Sequence, residues 1–72
     1  MYDVNGLLGN VLQQLEAIYN VRFILTDKSL ADEPVYYVVE IGTTIDEIAD
    51  ALQTLLPITI HRKGSTYTIS RK

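Results

Sequence analysis

The sequence contains no cysteine and no tryptophan, and it has a single histidine. Disulfides are therefore excluded, and a zinc site built from cysteine and histidine lacks its ligands. No apolar run approaches the roughly 20 residues needed to span a bilayer, and the first residues lack the basic start and apolar block of a signal peptide. With 72 residues, 47% of them apolar, the chain is expected to form one small domain, residues 1–72, held by an apolar core.

Basic residues are scarce over most of the chain. Residues 1–60 carry two basic and nine acidic side chains, whereas residues 61–72 carry four basic and no acidic ones, and the net charge is −3. Lysine and arginine supply most of the non-specific affinity of proteins for phosphate backbones. The composition therefore argues against nucleic-acid binding, and the basic tail is typical of a charged strand edge that resists aggregation.

An internal repeat is the most informative pattern. Residues 43–62 align with residues 6–25 at a constant offset of 37, with apolar residues at matching positions. The pairs are Leu8 and Ile45, Val11 and Ile48, Leu15 and Leu52, Ile18 and Leu55, Val21 and Ile58, and Phe23 and Ile60. Each unit has the pattern of a helix followed by a strand, and neither unit can bury its apolar stripe alone. The two units are therefore expected to share one core.

In the first half, Tyr2 and Val4 alternate with polar neighbours and predict a short strand, after which Asn5 is a plausible helix N-cap. Apolar residues recur at helical spacing from Leu8 to near Asn20, and a β-rich run follows at residues 21–26. The polar segment 27–34 is interpreted as a loop, in which Leu30 is expected to fill an edge of the core.

In the second half, residues 35–42 form a β run whose inward-facing set is expected to be Val35, Tyr37, Val39 and Ile41. Thr44 and Glu47 have the spacing of a capping box at the start of a second helix, which Pro57 ends. The buried stripe of that helix is predicted to comprise Ile45, Ile48, Ala49, Leu52, Leu55 and Leu56. Residues 58–72 predict a hairpin around Lys63 and Gly64, with Ile58 and Ile60 facing inward and Tyr67 and Ile69 opposite them.

The predicted order is β-α-β-β-α-β-β. This order favours an α+β fold of two β-α-β-like units, with two helices packed against or between small β-sheets.

Residues that could carry catalysis lack partners. His61 has the solvent-facing parity of its strand, and Ser29, Ser65 and Ser70 lie in turn or hairpin contexts. Asp46 and Asp50 are one helical turn apart on a face expected to be solvated. The adjacent Asp32 and Glu33 lack the alternating oxygen ligands of a calcium loop. We therefore expect no enzymatic activity, no cofactor and no metal site.

Two features keep a nucleic-acid-binding module as the alternative from another class. Residues 6–9, "GLLG", match the Gly-x-x-Gly loop of KH domains, although leucines fill the middle positions and no helix precedes them. The tail places Arg62, Lys63, Arg71 and Lys72 around Tyr67, a pattern of basic and aromatic residues that suits contact with phosphate. This alternative predicts salt-sensitive binding.

A protein-binding surface is expected on the outer face of the sheet. Tyr36 and Val38 have the outward parity of their strand, and they would lie next to Thr59 and His61 if the two strands pair. Cover by a terminus, or by sequence beyond these residues, is an equally acceptable explanation of the patch.

The order of these elements resembles that of the C-terminal domain of FecR-type anti-sigma factors, which is related to the STN (secretin and TonB N-terminus) signalling domains. The resemblance rests on a leucine-striped helix ending in "YNV", on Asp27 and Leu30 in the loop, and on "TIDEIADAL" and "LPITIHRKGSTYTI". It covers nearly the whole chain. Gly6 and Gly9 depart from it, because relatives usually have better helix formers at these positions.

The resemblance implies two β-α-β units whose helices pack between two small sheets. It also implies a periplasmic domain of an inner-membrane-anchored protein, so these residues are expected to be a fragment of a longer chain. Its partner would be the N-terminal signalling domain of a TonB-dependent outer-membrane transporter, and the rest of the protein would hold a sigma factor. The domain itself would bind neither nucleic acid nor membrane, and an STN or secretin N-domain is the related alternative.

Overall fold

The computed structural model describes residues 2–40 and 42–72, with side chains described from residue 5 onward within these ranges. The elements, in chain order, are β1 (Tyr2–Leu7), α1 (Leu8–Tyr19), β2 (Arg22–Leu25), a short 3₁₀ helix (Lys28–Asp32), β3 (Pro34–Val39), α2 (Ile45–Leu55), β4 (Ile58–Lys63) and β5 (Thr66–Arg71). The α+β class and the β-α-β-β-α-β-β order are confirmed. The predicted inward orientation of Ile41 lies outside the described residues.

The strands form two separate sheets. β1 and β3 pair antiparallel in one sheet, and the other has the order β2-β5-β4. β2 is parallel to β5, whereas β4 is antiparallel to it. Each repeat thus places the strand before its helix in the two-stranded sheet and the strand after its helix in the three-stranded sheet, where β5 separates β2 from β4.

One apolar core joins both helices to both sheets. Its buried members are Leu8, Val11, Leu12, Leu15, Leu30, Val35, Val39, Ile48, Leu52, Leu56, Ile58 and Ile69. Leu30, on the 3₁₀ helix, is fully buried, which confirms that it fills the core from the loop. The inward parity predicted for β3 is also confirmed, because Val35 and Val39 are buried and Tyr37 packs against the core.

The start of α1 differs from the prediction. Asn5 does not cap the helix, because β1 continues through Leu7 and pairs Asn5 with Tyr36. The N-cap is Leu7, whose side chain caps no amide. Instead, the Leu8 N–H donates to the Glu33 carbonyl oxygen at 2.7 Å. This bond satisfies one of the amides that the first turn of a helix leaves without a partner inside the helix.

The cap predicted for α2 is half formed. The Glu47 N–H donates to Thr44 Oγ1 at 3.1 Å, but the described residues form no return hydrogen bond from Thr44 N–H to the Glu47 carboxylate. The hairpin turn lies one residue later than predicted, at Gly64 and Ser65, because Lys63 pairs with Thr66. Gly64 has a φ of 63°, which a two-residue hairpin turn favours.

Two residues assigned to the buried stripes are exposed. Ile18 is 55% exposed and Leu55 is 52% exposed, so their predicted burial is wrong. At 3.6 residues per turn, a residue ten positions after the first stripe residue is rotated about 80° from it, whereas the eleventh is rotated only about 20°. Tyr19 and Leu56 occupy the eleventh position and pack into or against the core. Helical periodicity therefore explains the same error in both repeats.

A polar cluster fixes the start of α2 to the hairpin. Asp46 accepts a hydrogen bond from the Tyr67 hydroxyl at 2.8 Å and forms an ion pair with Arg62. The Arg62 guanidinium also lies 5.6 Å from the centre of the Tyr67 ring. Burial, followed by the hydrogen bond to Asp46, raises the pKa of the Tyr67 hydroxyl. The cluster thus joins α2 to both strands of the hairpin, β4 and β5.

A second cluster fixes the end of β5 to the 3₁₀ helix. Asp27 accepts hydrogen bonds from the Ser29 hydroxyl at 2.7 Å and from Arg71 Nε at 3.0 Å. Arg71 Nη2 also donates to the Ser29 hydroxyl at 2.8 Å. The Ser29 hydroxyl, followed by Arg71, lowers the pKa of Asp27 from 3.8 to about 2.

We expect Tyr67→Phe to lower the free energy of unfolding by about 1 kcal/mol, because it removes the hydroxyl that donates to Asp46. Tyr36→Phe is the control, because the exposed Tyr36 hydroxyl makes no hydrogen bond within the described residues. Urea unfolding of the two variants measures the difference. Equal destabilisation by both substitutions would contradict a stabilising role of the Tyr67 hydrogen bond.

We expect stability to depend on Asp27 in acid. Its pKa is lower in the folded than in the unfolded chain, so its contribution is complete above pH 3.8 and is lost as the pH falls towards about 2. Asp27→Asn should therefore flatten the dependence of unfolding free energy on pH in this window. Chemical unfolding at a series of pH values measures the slope, and an unchanged slope would show that Asp27 is not involved.

Candidate functional site

The four residues predicted to form a protein-binding surface lie on two different sheets. Tyr36 and Val38 are on β3, which pairs with β1, whereas Thr59 and His61 are on β4, which pairs with β5. The strand pairing that would have joined them does not occur. Tyr36 and Val38 are exposed on the outer face as predicted, at 78% and 49%, and they form one patch without the β4 residues.

A groove beside β3 extends this patch. It has a volume of about 550 Å³ and is lined by Asn5, Tyr36, Tyr37, Val38, Ala51, Thr54 and Leu55. β3 forms one wall, and the outer face of α2 forms the other. Asn5 lies directly opposite Tyr36 in the β1–β3 pair, so the two residues share the outer face.

Leu55 is the residue that sequence reasoning missed. The sequence predicts that Leu55 is buried, yet more than half of its side chain is exposed. It lines the groove with Tyr36 and Val38. The helical period marks it as a residue rotated away from the core. Ile18, its equivalent in the first repeat, is equally exposed but does not line this groove.

The surface near the groove is acidic. Glu40 follows β3, and Glu47 and Asp50 lie in the first two turns of α2 on its exposed side. No ion pair of the described residues includes any of these carboxylates. Their charge remains available to a partner, and it favours a basic one.

Residues 6–9 and the basic tail, which suggested nucleic-acid binding, have other roles in the fold. Gly6 and Leu7 end β1, and Leu8 and Gly9 begin α1, so residues 6–9 form no loop between helices. Arg62 and Arg71 are engaged by Asp46 and Asp27. The tail therefore lacks a cluster of free arginines that could meet a phosphate backbone.

The candidate catalytic residues are dispersed. His61 is exposed on β4, and Ser29 is hydrogen-bonded to Asp27. Asp46 is bound to Arg62 and Tyr67 rather than simply solvated, and it does not face a second carboxylate. Over residues 2–40 and 42–72, no group of three His, Cys, Asp or Glu side chains could hold a metal ion. In the same ranges, no helix has the length and hydropathy needed to cross a membrane.

The chain matches a known protein family. The family model described as "FecR, C-terminal" matches residues 5–69, from the middle of β1 to near the end of β5. Neither the comparison with curated proteins nor that with solved structures gave a match. The matched residues include all elements of both repeats and both walls of the groove. The chain therefore belongs to the FecR C-terminal family, a regulatory family of cell-envelope anti-sigma factors.

Proposed function

We propose that the chain is the periplasmic protein-interaction module of an inner-membrane-anchored anti-sigma factor. It receives a signal from the N-terminal signalling domain of a TonB-dependent outer-membrane transporter, and the remainder of the protein holds the sigma factor on the cytoplasmic side. Membership of a regulatory anti-sigma family supports the regulatory role. The transporter and the periplasmic location are what resemblance to this signalling system implies.

The observation that carries the proposal is the exposed apolar surface around the groove. Tyr36, Val38 and Leu55 are large apolar side chains, each about half exposed or more, and all three line the same depression. None of the three belongs to the core, to which β3 and α2 contribute other residues. Burying such side chains in an interface contributes about 25 cal/mol per Å² of apolar surface, with aromatic residues giving the strongest anchors.

The composition of the groove fits recognition of another protein better than chemistry on a small molecule. Its lining is mostly apolar or aromatic, and Asn5 and Thr54 are its polar members. An apolar centre with a polar rim is the usual anatomy of a protein interface. The nearby carboxylates Glu40, Glu47 and Asp50 would speed association with a basic partner at low salt.

Thr59 and His61 have a different place in this proposal. They lie on β4 in the three-stranded sheet, so they contact a partner only if it reaches both sheets. A compact signalling domain seated on the groove would leave them unchanged. The NMR signals of Thr59 and His61 therefore report whether the interface extends to the three-stranded sheet.

The related alternative is the STN domain of a transporter or a secretin N-domain. Position in the full-length chain separates the two. An anti-sigma domain of this kind follows a transmembrane helix at the C-terminal end, whereas a transporter's signalling domain precedes a plug and a barrel.

We expect the ¹⁵N-labelled chain to bind the N-terminal signalling domain of the TonB-dependent transporter encoded beside its gene. Shifts in an NMR titration should cluster at Tyr36, Val38 and Leu55, because these residues form the exposed apolar surface. Leu55→Ser should weaken binding by about tenfold, as truncation of an interface anchor does. Ile18→Ser is the matched control, since Ile18 is equally exposed at the same position of the other repeat.

Three results would count against this function. The first is no response to the transporter domain, and the second is equal weakening by Leu55→Ser and Ile18→Ser. The third comes from a parallel titration with a short RNA, in which shifts at Arg62 and Lys63 would favour a nucleic-acid-binding module instead.

A further inference from the structure

The free edges of the two sheets differ in whether their outward-pointing amides are occupied. In an antiparallel pair, residues alternate between those that bond to the neighbouring strand and those whose N–H and C=O groups point away from it. The observed hydrogen bonds fix this alternation for each edge strand. They show which amides a partner could reach.

Two of the three outward amides of the β4 edge are occupied within its own repeat. The Lys72 N–H donates to the Pro57 carbonyl at 2.9 Å, which places the Ile58 and Ile60 amides on the side away from β5. The Ile58 N–H donates to the Leu56 carbonyl at 2.8 Å. The Ile60 N–H donates to Gln53 Oε1, on α2, at 3.1 Å.

One of the two outward amides of the β2 edge is occupied by the same device. The Arg22 and Thr26 amides donate to carbonyls of the hairpin, so the Phe23 amide points away from β5. It donates to Glu16 Oε2, on α1, at 2.8 Å. Glu16 and Gln53 are related by the repeat offset of 37, and so are Phe23 and Ile60. In both repeats, therefore, a helix side chain occupies an outward amide of the following strand.

The β3 edge has no such cap. The hydrogen bond from Leu8 N–H to the Glu33 carbonyl continues the β1–β3 register, so Val35 and Tyr37 bond to β1. The backbone groups of Tyr36 and Val38 then point away from β1, and neither amide donates a hydrogen bond within the described residues. The β2 and β4 edges meet a capping side chain, whereas this edge meets the open groove.

The remaining edge, that of β1, is less regular. Gly6 has a φ of 127°, which lies outside the extended region that other residues adopt, and the strand runs directly into α1. The α2 residues Ala51, Thr54 and Leu55 line the groove together with three residues of β3 and one residue of β1, Asn5. β3 is therefore the edge with both free amides and an apolar wall.

We propose that the β3 edge binds an extended segment of the partner as an added strand. The proposal rests on the function proposed above and names the surface it uses. Main-chain hydrogen bonds to Tyr36 and Val38 would provide affinity and register, and alternate side chains of the added strand would enter the groove against Leu55. The occupant is a strand of the transporter's signalling domain with apolar residues at alternate positions.

The charge around the groove specifies the occupant further. Glu40 lies at the end of β3, and Glu47 lies in the first turn of α2, so both carboxylates are near the same end of the groove. Neither takes part in an ion pair of the described residues. The added strand is therefore expected to carry a basic residue at this end.

Val38→Pro tests the proposal, because proline removes the outward N–H and its ring obstructs an added strand. The β1–β3 hydrogen bonds do not involve this amide, and proline is tolerated in an edge strand in that orientation. We expect Val38→Pro to weaken binding of the transporter's signalling domain by about tenfold or more, since a main-chain hydrogen bond and its neighbours are lost. Val38→Thr, which keeps the N–H and the branched shape, should change affinity by less than about threefold.

Hydrogen exchange on the unsubstituted chain provides a second measurement that does not depend on the variant folding. Binding should slow exchange of the Tyr36 and Val38 amides, while the already bonded Phe23 and Ile60 amides remain unchanged. Protection elsewhere with none at Tyr36 and Val38 would overturn strand addition.

The outcomes separate the two proposals. If the transporter domain binds the unsubstituted chain and Val38→Pro equally well, strand addition is wrong and the interaction module stands. If it does not bind the unsubstituted chain, both proposals fall. If sedimentation shows a dimer that Val38→Pro converts to a monomer, the occupant is a second copy, and the assignment to a transporter strand is overturned.

Discussion

The structure depends on one apolar core that two helices must share. The chain has no disulfide to restrict its unfolded state, so burial of the stripes on α1 and α2 must offset the conformational entropy of folding. Leu8, Leu15, Ile48 and Leu52 are fully buried from the two helices, and both sheets cover them. Among the described side chains, six large apolar ones nevertheless remain exposed, and three of them, Tyr36, Val38 and Leu55, line one groove.

The repeat provides a common plan, and the departures from it create the surface. Both repeats end their helices with an exposed apolar residue and both occupy the edge of the following strand with a helix side chain. They differ in what lies beside the exposed residue, because Leu55 lines a groove beside the free edge of β3, whereas Ile18 does not line that groove. Near-symmetry thus stabilises the domain, and the asymmetry between the units gives it a single distinctive face.

Sequence periodicity predicted the elements, their order and most of the core, because burial imposes a period of 3.6 on helices and 2 on strands. It also predicted that Tyr36 and Val38 point outward. It did not predict which strands pair, since alternation identifies the face of a residue but not its neighbour across the sheet. For this reason Thr59 and His61 were joined to the wrong strand. It predicted burial of Leu55, which lies three residues after Leu52, although Leu56, four residues after Leu52, fits the helical period better. It predicted Asn5 as a helix cap because the length of β1 depends on pairing with β3, which periodicity does not show.

The central position of β5 has a consequence for how the domain is made. β5 is the last of the five strands, yet it lies between β2 and β4 and pairs with both of them. Its parallel partner, β2, lies more than forty residues earlier in the chain. Contacts of such sequence separation form slowly, because a long loop must close before they contribute. During synthesis, the three-stranded sheet therefore cannot assemble until β5 has been made. A chain shortened by that one strand would present two unsupported strands instead of a slightly smaller domain.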